Sequence, residues 1–388
     1  MTPTLRLPRA DGTVAPYRLG GQAPVTAPGG PIRSRIAFAA VHVVADPLAP
    51  VSPTLEARLD WDATLAYRRY VWSLGLAVAE AMDTSQRGMG FDWPTARELI
   101  RRSVAEARGI PGAVIASGAG TDQLEPSTRV TIADVEAAYE EQCGFIERIG
   151  GRIILMASRA LAACAKGADD YGKVYARILN QVKEPVIIHW LGDMFDPALA
   201  GYWGSPDLGA AAETLLAIVR EHRAKIDGVK ISLLDQRREI AMRGRFPTGV
   251  RMYTGDDFDY PTTIRGDRER WSDALLGIFD VIAPAASAAL HALDAGDVAR
   301  FDAILGPTLP LSRHVFGAPT RFYKTGVVFA AYVNGHQAHF RMVGGLESAR
   351  SVVHLAEQFV LMDRAGLLRD PELAAARMRR VLAVAGVE

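Results

Sequence analysis

The chain has 388 residues, 49% hydrophobic and 23% charged, with 44 basic and 44 acidic side chains. A balanced charge without long single-sign runs argues against nucleic acid or an anionic membrane as the main partner, and the apolar share suffices for a large buried core. No stretch approaches about 18 uninterrupted apolar residues, so no membrane span is expected. Met1-Thr2-Pro3-Thr4-Leu5-Arg6 lacks a basic segment followed by an apolar run, so no secretory signal is expected either. Cys143 and Cys164 have no metal-like spacing and read as reduced, buried small hydrophobes; a cytoplasmic protein is the expectation.

Residues 1–34 are rich in Pro and Gly. Leu5-Arg6-Leu7 and Tyr17-Arg18-Leu19 flank Asp11-Gly12, which predicts a hairpin in an N-terminal extension. From residue 35, short apolar runs alternate with amphipathic stretches. The predicted strands are 35–41, 75–82, 112–117, 152–157, 185–190, 228–233, 249–254 and 278–283. Helix patterns such as Trp93–Arg108, Ile132–Ile149, Tyr171–Val182 and Ala210–Lys225 lie between them, with Asp134 and Asp169 near helix starts, where acids suit the dipole. Eight strands alternating with helices over about 250 residues predict a (β/α)₈ TIM barrel, the α/β architecture that eight parallel strands close. The periodicity alone does not distinguish closure from an open doubly wound sheet. Helices over 285–303, 321–335, 345–365 and 371–385 complete the chain. The expected organisation is 1–34 extension, 35–284 barrel and 285–388 helical region packed on it.

Lys230, in Asp227-Gly228-Val229-Lys230-Ile231-Ser232-Leu233, sits where an apolar strand should point it inward. A buried ammonium is costly unless paired or neutral, and desolvation is how enzymes prepare a lysine for Schiff-base chemistry. At its ordinary pKa only about one lysine in 2,500 is neutral at pH 7; a downward shift of roughly 3 units makes about half of it neutral. A strand-end lysine that reaches solvent or pairs with an acid is the bland alternative.

In a barrel, chemistry belongs at the C-terminal ends of the strands. Glu80, Asp83, Thr84, Ser85, Gln86 and Arg87 follow the second strand, Ser158 and Arg159 the fourth, His189-Trp190 ends the fifth, and Tyr253-Thr254-Gly255-Asp256-Asp257 follows the seventh. His189 reads as a proton shuttle, a metal ligand or a satisfied core histidine. Thr84 and Ser85 either anchor a carboxylate or carbonyl oxygen or cap a helix. Asp256 and Asp257 either bind hydroxyls or a cation or form a polar turn. Gly118-Ala119-Gly120 lacks the third glycine of a dinucleotide fingerprint and reads as a tight turn. His336-x-x-His339 has helical spacing for a metal, but without acidic or cysteine neighbours a structural or interface role is favoured.

These strand-end segments resemble a known family. Gly228-Val229-Lys230, the Asp83–Arg87 loop, Ser117-Gly118-Ala119-Gly120 and Tyr253–Asp257 are similar to segments of the class I aldolases related to dihydrodipicolinate synthase and N-acetylneuraminate lyase, over residues 35–370 or so. The resemblance implies a Schiff-base lysine at Lys230 and a carboxylate-binding loop at 83–87. That loop is Gly-Thr-Thr-Gly-Glu in the family; here Thr84 and Ser85 keep the hydroxyls while the glycines and the glutamate are lost. His189 stands where the family has a proton-relaying tyrosine, Asp193-Met194 replaces a segment that often carries an arginine, and Met156-Ala157-Ser158-Arg159 replaces an aromatic pair. A synthase-like subfamily with rewritten substrate recognition is implied.

The reading that follows is a Schiff-base aldolase or lyase, a carbon–carbon lyase or hydro-lyase, acting on a keto or hydroxylated, sugar-derived small molecule. Lys230 would be the nucleophile and His189 the proton carrier; Thr84, Ser85, Arg87, Arg159, Asp256 and Asp257 would bind substrate. No cofactor or metal is required, and the resemblance implies a homodimer or homotetramer. The alternative is a divalent-metal-dependent sugar isomerase or class II aldolase with Glu80, Asp83, His189 and Asp256 around Mg²⁺, Mn²⁺ or Zn²⁺. A third is a binding barrel without chemistry, in which Lys230 would sit in an ordinary salt bridge.

Overall fold

The short apolar runs become strands because both of their faces are covered. A computed structural model describes residues 3–267 and 269–387. In it β1 (Thr4–Pro8) and β2 (Val14–Arg18) form an antiparallel hairpin. Eight further strands follow: β3 (Ala37–Ala40), β4 (Ala77–Glu80), β5 (Ile115–Ala119), β6 (Arg152–Leu155), β7 (Val186–Leu191), β8 (Ile226–Ser232), β9 (Arg251–Thr254) and β10 (Asp273–Leu276). All pair in parallel in chain order, and β10 returns to β3, closing the barrel. Every residue of β3, β4 and β7 is buried, as expected where helices cover the outside and side chains fill the inside.

The helices begin where the sequence offers caps. Those within the barrel region are α1 (Trp61–Ser73), α2 (Trp93–Arg108), α3 (Ile132–Arg148), α4 (Arg159–Cys164), α5 (Ala168–Gln181), α6 (Leu208–Glu221), α7 (Gln236–Arg243) and α8 (Tyr260–Arg265). Asp60, Asp92, Asp207 and Asp235 cap α1, α2, α6 and α7. Thr131 and Asp134 form a reciprocal capping box on α3. Then come α9 (Ile278–Val281), α10 (Ala283–Asp294), α11 (Val298–Leu305), α12 (Leu309–Val315), α13 (Tyr323–Val333), α14 (Val352–Arg364) and α15 (Pro371–Val384).

Seven barrel strands lie at the predicted places. The eighth does not: the strand is Asp273–Leu276, and 278–283 is helical. The Ile278 N–H donates to the Asp257 carboxylate at 2.9 Å, starting a helical turn beyond Gly277. Ile278, Phe279 and Ile282 are fully buried, so apolarity alone does not tell this helix from a strand. The predicted 285–303 helix breaks into α10 and α11 at Gly296, whose φ is 74°. α12 was not anticipated.

Two C-terminal features shape the barrel mouth and the outer wall. α13, buried along its whole length, packs on α9 and on the 3₁₀ turn Asp83–Ser85 that follows β4. The β1–β2 hairpin rests on α14 and α15, where Asp363 accepts from the Tyr17 hydroxyl and the Gly20 N–H. Among the described residues, no helix is long and apolar enough to cross a membrane.

Candidate active site

Lys230 lies near the C-terminal end of β8, in register with His189 on β7 and Tyr253 on β9. Gly228, two residues earlier on the same face, is the reason the lysine has a floor. A Cβ there would come within 2.6 Å of the Tyr253 ring and 2.7 Å of the Arg251 carbonyl, so the missing side chain lets the ring pack beneath Lys230. Lys230 is 7% exposed, and among the described residues its Nζ has neither a hydrogen bond nor a salt bridge. Burial pushes its pKa down, partly opposed by the carboxylates of Asp257 and Asp83. Burial in turn pushes the Asp257 carboxyl up, against the pull of the Ile278 N–H and of Lys230.

Lys230 opens into a small chamber, with room for about one water, walled by Met82, Asp83, Thr84, Leu191, Asp257, Phe316 and Tyr323 among others. Its roof comes from the C-terminal region. The Tyr323 hydroxyl lies 2.8 Å from Thr84 Oγ1, and the Tyr323 ring stacks on Phe316 at 4.4 Å and meets Phe195 edge-on. Beyond the chamber lies a cavity of about 750 Å³, lined by residues from the loops after β3 to β7 and large enough for a sugar-sized molecule. Asp83 and Leu191 line both spaces and stand at their junction.

His189 faces the larger cavity and is fully buried. One ring nitrogen, Nε2, lies 3.1 Å from Ser232 Oγ, and Nδ1 has no hydrogen-bond partner among the described residues. Burial, and then the neighbouring Lys230 charge, hold its pKa well below the ordinary imidazole value, which favours the neutral ring. The cavity's three arginines are each ion-paired: Arg58 with Glu56, Arg87 with Asp122 and Arg159 with Asp196. Arg159 can lie along the loop after β4 because Gly88, at φ 70°, has no Cβ to collide with its guanidinium.

A model of the family described as "Protein of unknown function (DUF993)" matches residues 5–387. The chain belongs to the DUF993 family. No curated protein sequence matches it. Its fold is that of solved dihydrodipicolinate synthase structures, as the motif resemblance implied. The chloride-inhibited enzyme of Acinetobacter baumannii, solved with pyruvate, is 13% identical, with a TM-score of 0.63, covering 86% of this chain and 100% of that one. YagE of E. coli K12, a prophage protein of the dihydrodipicolinic acid synthase family also solved with pyruvate, is 12% identical, with a TM-score of 0.63 over 91% of this chain and 99% of its own. Dihydrodipicolinate synthase DapA-2 of Bacillus anthracis is 14% identical, with a TM-score of 0.62 over 85% and 98%.

In this DUF993 protein the fold brings Lys230, Thr84 and Asp257 into one chamber, and His189, Arg87 and Arg159 to the adjoining cavity. Two of the expected binding residues are elsewhere. The Ser85 hydroxyl is spent on the Val41 carbonyl, and Asp256 lines neither space, one of its oxygens accepting from the Phe258 N–H. Arg87 forms wall rather than a free guanidinium: it donates to Asp122, to Gln142 and to the Gly118 carbonyl. The four residues offered for a divalent ion are not gathered. Glu80 is bidentate to Arg68 at 2.8 and 2.9 Å, both fully buried, and among the described residues no group of three or more His, Cys, Asp or Glu is placed to hold a metal. His336 and His339 lie beyond the end of α13, not on a helix; His336 packs between Tyr67 and Tyr70.

Tyr323 and Lys324 were not anticipated as site residues. Lys324 is 3% exposed, its Nζ donating to the Arg321 carbonyl at 3.1 Å and lying 4.6 Å over the Tyr323 ring. Burial pushes its pKa down to about 8. The signal was the one that singled out Lys230: a lysine inside an apolar run, here Tyr323-Lys324-Thr325-Gly326-Val327-Val328-Phe329.

Proposed function

We propose that this protein is a Schiff-base aldolase or lyase in which Lys230 is the nucleophile. The observation that carries the reading is a buried lysine amine with no hydrogen bond or salt bridge among the described residues, depressed in pKa, opening into a chamber that joins a ligand-sized cavity. Neutral Nζ adds to a substrate carbonyl to give a carbinolamine, and loss of water gives the iminium. The iminium then accepts the electron pair of the carbon–carbon bond that breaks, giving an enamine. In reverse, the enamine carbon attacks an aldehyde and water later releases the product. His189, neutral and facing the cavity, takes the proton from the hydroxyl that becomes the aldehyde and returns it in the other direction. Two structures of like fold were solved with pyruvate, a carbonyl compound, which supports a carbonyl ligand here.

The test is trapping with cyanoborohydride. Lys230→Arg keeps the charge but remains protonated, so it forms no imine. With a panel of keto acids and hydroxy ketones, the wild type should gain mass at residue 230, and Lys230→Arg and Lys230→Ala should not. Retained turnover in Lys230→Arg would refute the reading.

A further inference from the structure

We propose that the carbonyl compound condensing with Lys230 is uncharged beside its carbonyl and bears a hydroxyl there, an α-hydroxy ketone or aldehyde, and that Asp83 is the residue that selects it. The inference rests on the Schiff-base reading and names the substrate class of that same chamber. The substituent next to an imine carbon must lie within a bond or two of Nζ, so it is held by the chamber and its entrance. The ionisable groups lining that chamber are Lys230, Asp257, Asp83 and Tyr323; no arginine is among them.

Asp83 stands at the junction of chamber and cavity, 9% exposed, and no protein group donates to its carboxylate among the described residues. An open, nearly buried carboxylate repels a second one and accepts a hydroxyl. In the loop after β4, the Ser85 N–H and hydroxyl go to the Met82 and Val41 carbonyls and the Gln86 N–H to the Asp83 carbonyl, while the Thr84 and Tyr323 hydroxyls bond each other. The Lys230 and Lys324 amines both feel the Asp83 charge, but neither bonds it among the described residues, and Lys324 lies over the Tyr323 ring outside the chamber lining. In the outer cavity the arginines are each matched by an acid, while among the described residues Asp92 and Glu125 have no cation within salt-bridge distance.

The experiment measures cyanoborohydride trapping at Lys230 by peptide mass, with dihydroxyacetone and with pyruvate, in the wild type, Asp83→Asn and Asp83→Gly. Each rate is divided by that of a free lysine peptide under the same conditions. In the wild type, dihydroxyacetone should label at least tenfold faster than pyruvate. Asp83→Asn keeps an acceptor and removes the charge, so the ratio of pyruvate to dihydroxyacetone labelling should rise tenfold or more. Asp83→Gly should gain pyruvate labelling and lose the dihydroxyacetone advantage. Wild-type labelling by pyruvate at an equal or greater rate, or a ratio unchanged in both variants, overturns the selection by Asp83 and leaves the Schiff-base reading standing. Absence of label at Lys230 with either probe in all three proteins overturns the Schiff-base reading and this inference together.

Discussion

Replacing Arg68 by methionine would leave Glu80 as a buried carboxylate with its cation gone. Both side chains are fully buried, the guanidinium bonds both carboxylate oxygens, and it also donates to the His42 and Thr64 carbonyls. Removing one partner of such a pair costs about 3–5 kcal/mol, because the other charge remains desolvated. The two orphaned carbonyls push the value toward the upper end of that range. Arg68→Met with Glu80→Gln removes the charge as well; the amide oxygen still accepts from the Ala81 N–H, which Glu80 Oε1 now holds at 2.8 Å. The double variant should therefore recover roughly 1–3 kcal/mol of the loss, a coupling typical of contacting residues. Urea unfolding of wild type, both single variants and the double variant closes the cycle. The contact also matters for the site, because Ala81, at φ 53°, leads directly into Asp83 and Thr84. A single-variant loss under about 1 kcal/mol, or a double variant no more stable than Arg68→Met alone, would refute a buried ion pair as the anchor of this loop.

Two further outcomes are expected. His189→Phe should lower turnover by roughly 10²–10⁴ while leaving cyanoborohydride labelling of Lys230 largely intact; loss of both in parallel would show that His189 acts on imine formation instead. Glu239 is fully buried, accepting from the Thr254 and Ser272 hydroxyls, and burial pushes its carboxyl up to about 8. A raised folded-state pKa contributes stability that is complete below the unfolded value, about 4.3, and is lost as pH rises through the folded one. Glu239→Gln should therefore flatten the fall in unfolding free energy between about pH 5 and 8, a difference of a few kcal/mol at most; an unchanged pH slope in urea titrations would contradict the assignment.

The barrel was legible because its strands are buried on both faces and therefore uniformly apolar, each followed by a capped amphipathic helix. The same uniformity misplaced the last strand, since Ile278–Ile282 is equally apolar and is turned into helix by a carboxylate, Asp257, more than twenty residues away in the chain. Lys230 and His189 were legible as polar groups stranded in apolar runs. Tyr323 was not, because an aromatic residue in a C-terminal helix is ordinarily packing, and only the fold brings it to Thr84, 239 positions earlier. Ser85 and Asp256 stand apart from the chamber residues for reasons the sequence does not show: the Ser85 hydroxyl donates to the Val41 carbonyl, 44 positions earlier, and one Asp256 oxygen accepts from the Phe258 N–H.

The roof supplied by Phe316 and Tyr323 has a consequence for the order in which the molecule can be made. All eight barrel strands have been translated once Leu276 has been added, yet the residues that cover the Lys230 amine follow some forty positions later. During synthesis the ring strands are all present before the residues that cover their Lys230 end. The covering wall of the Lys230 amine is thus encoded after the ring that carries it, and a chain ending before Phe316 would leave that amine without it.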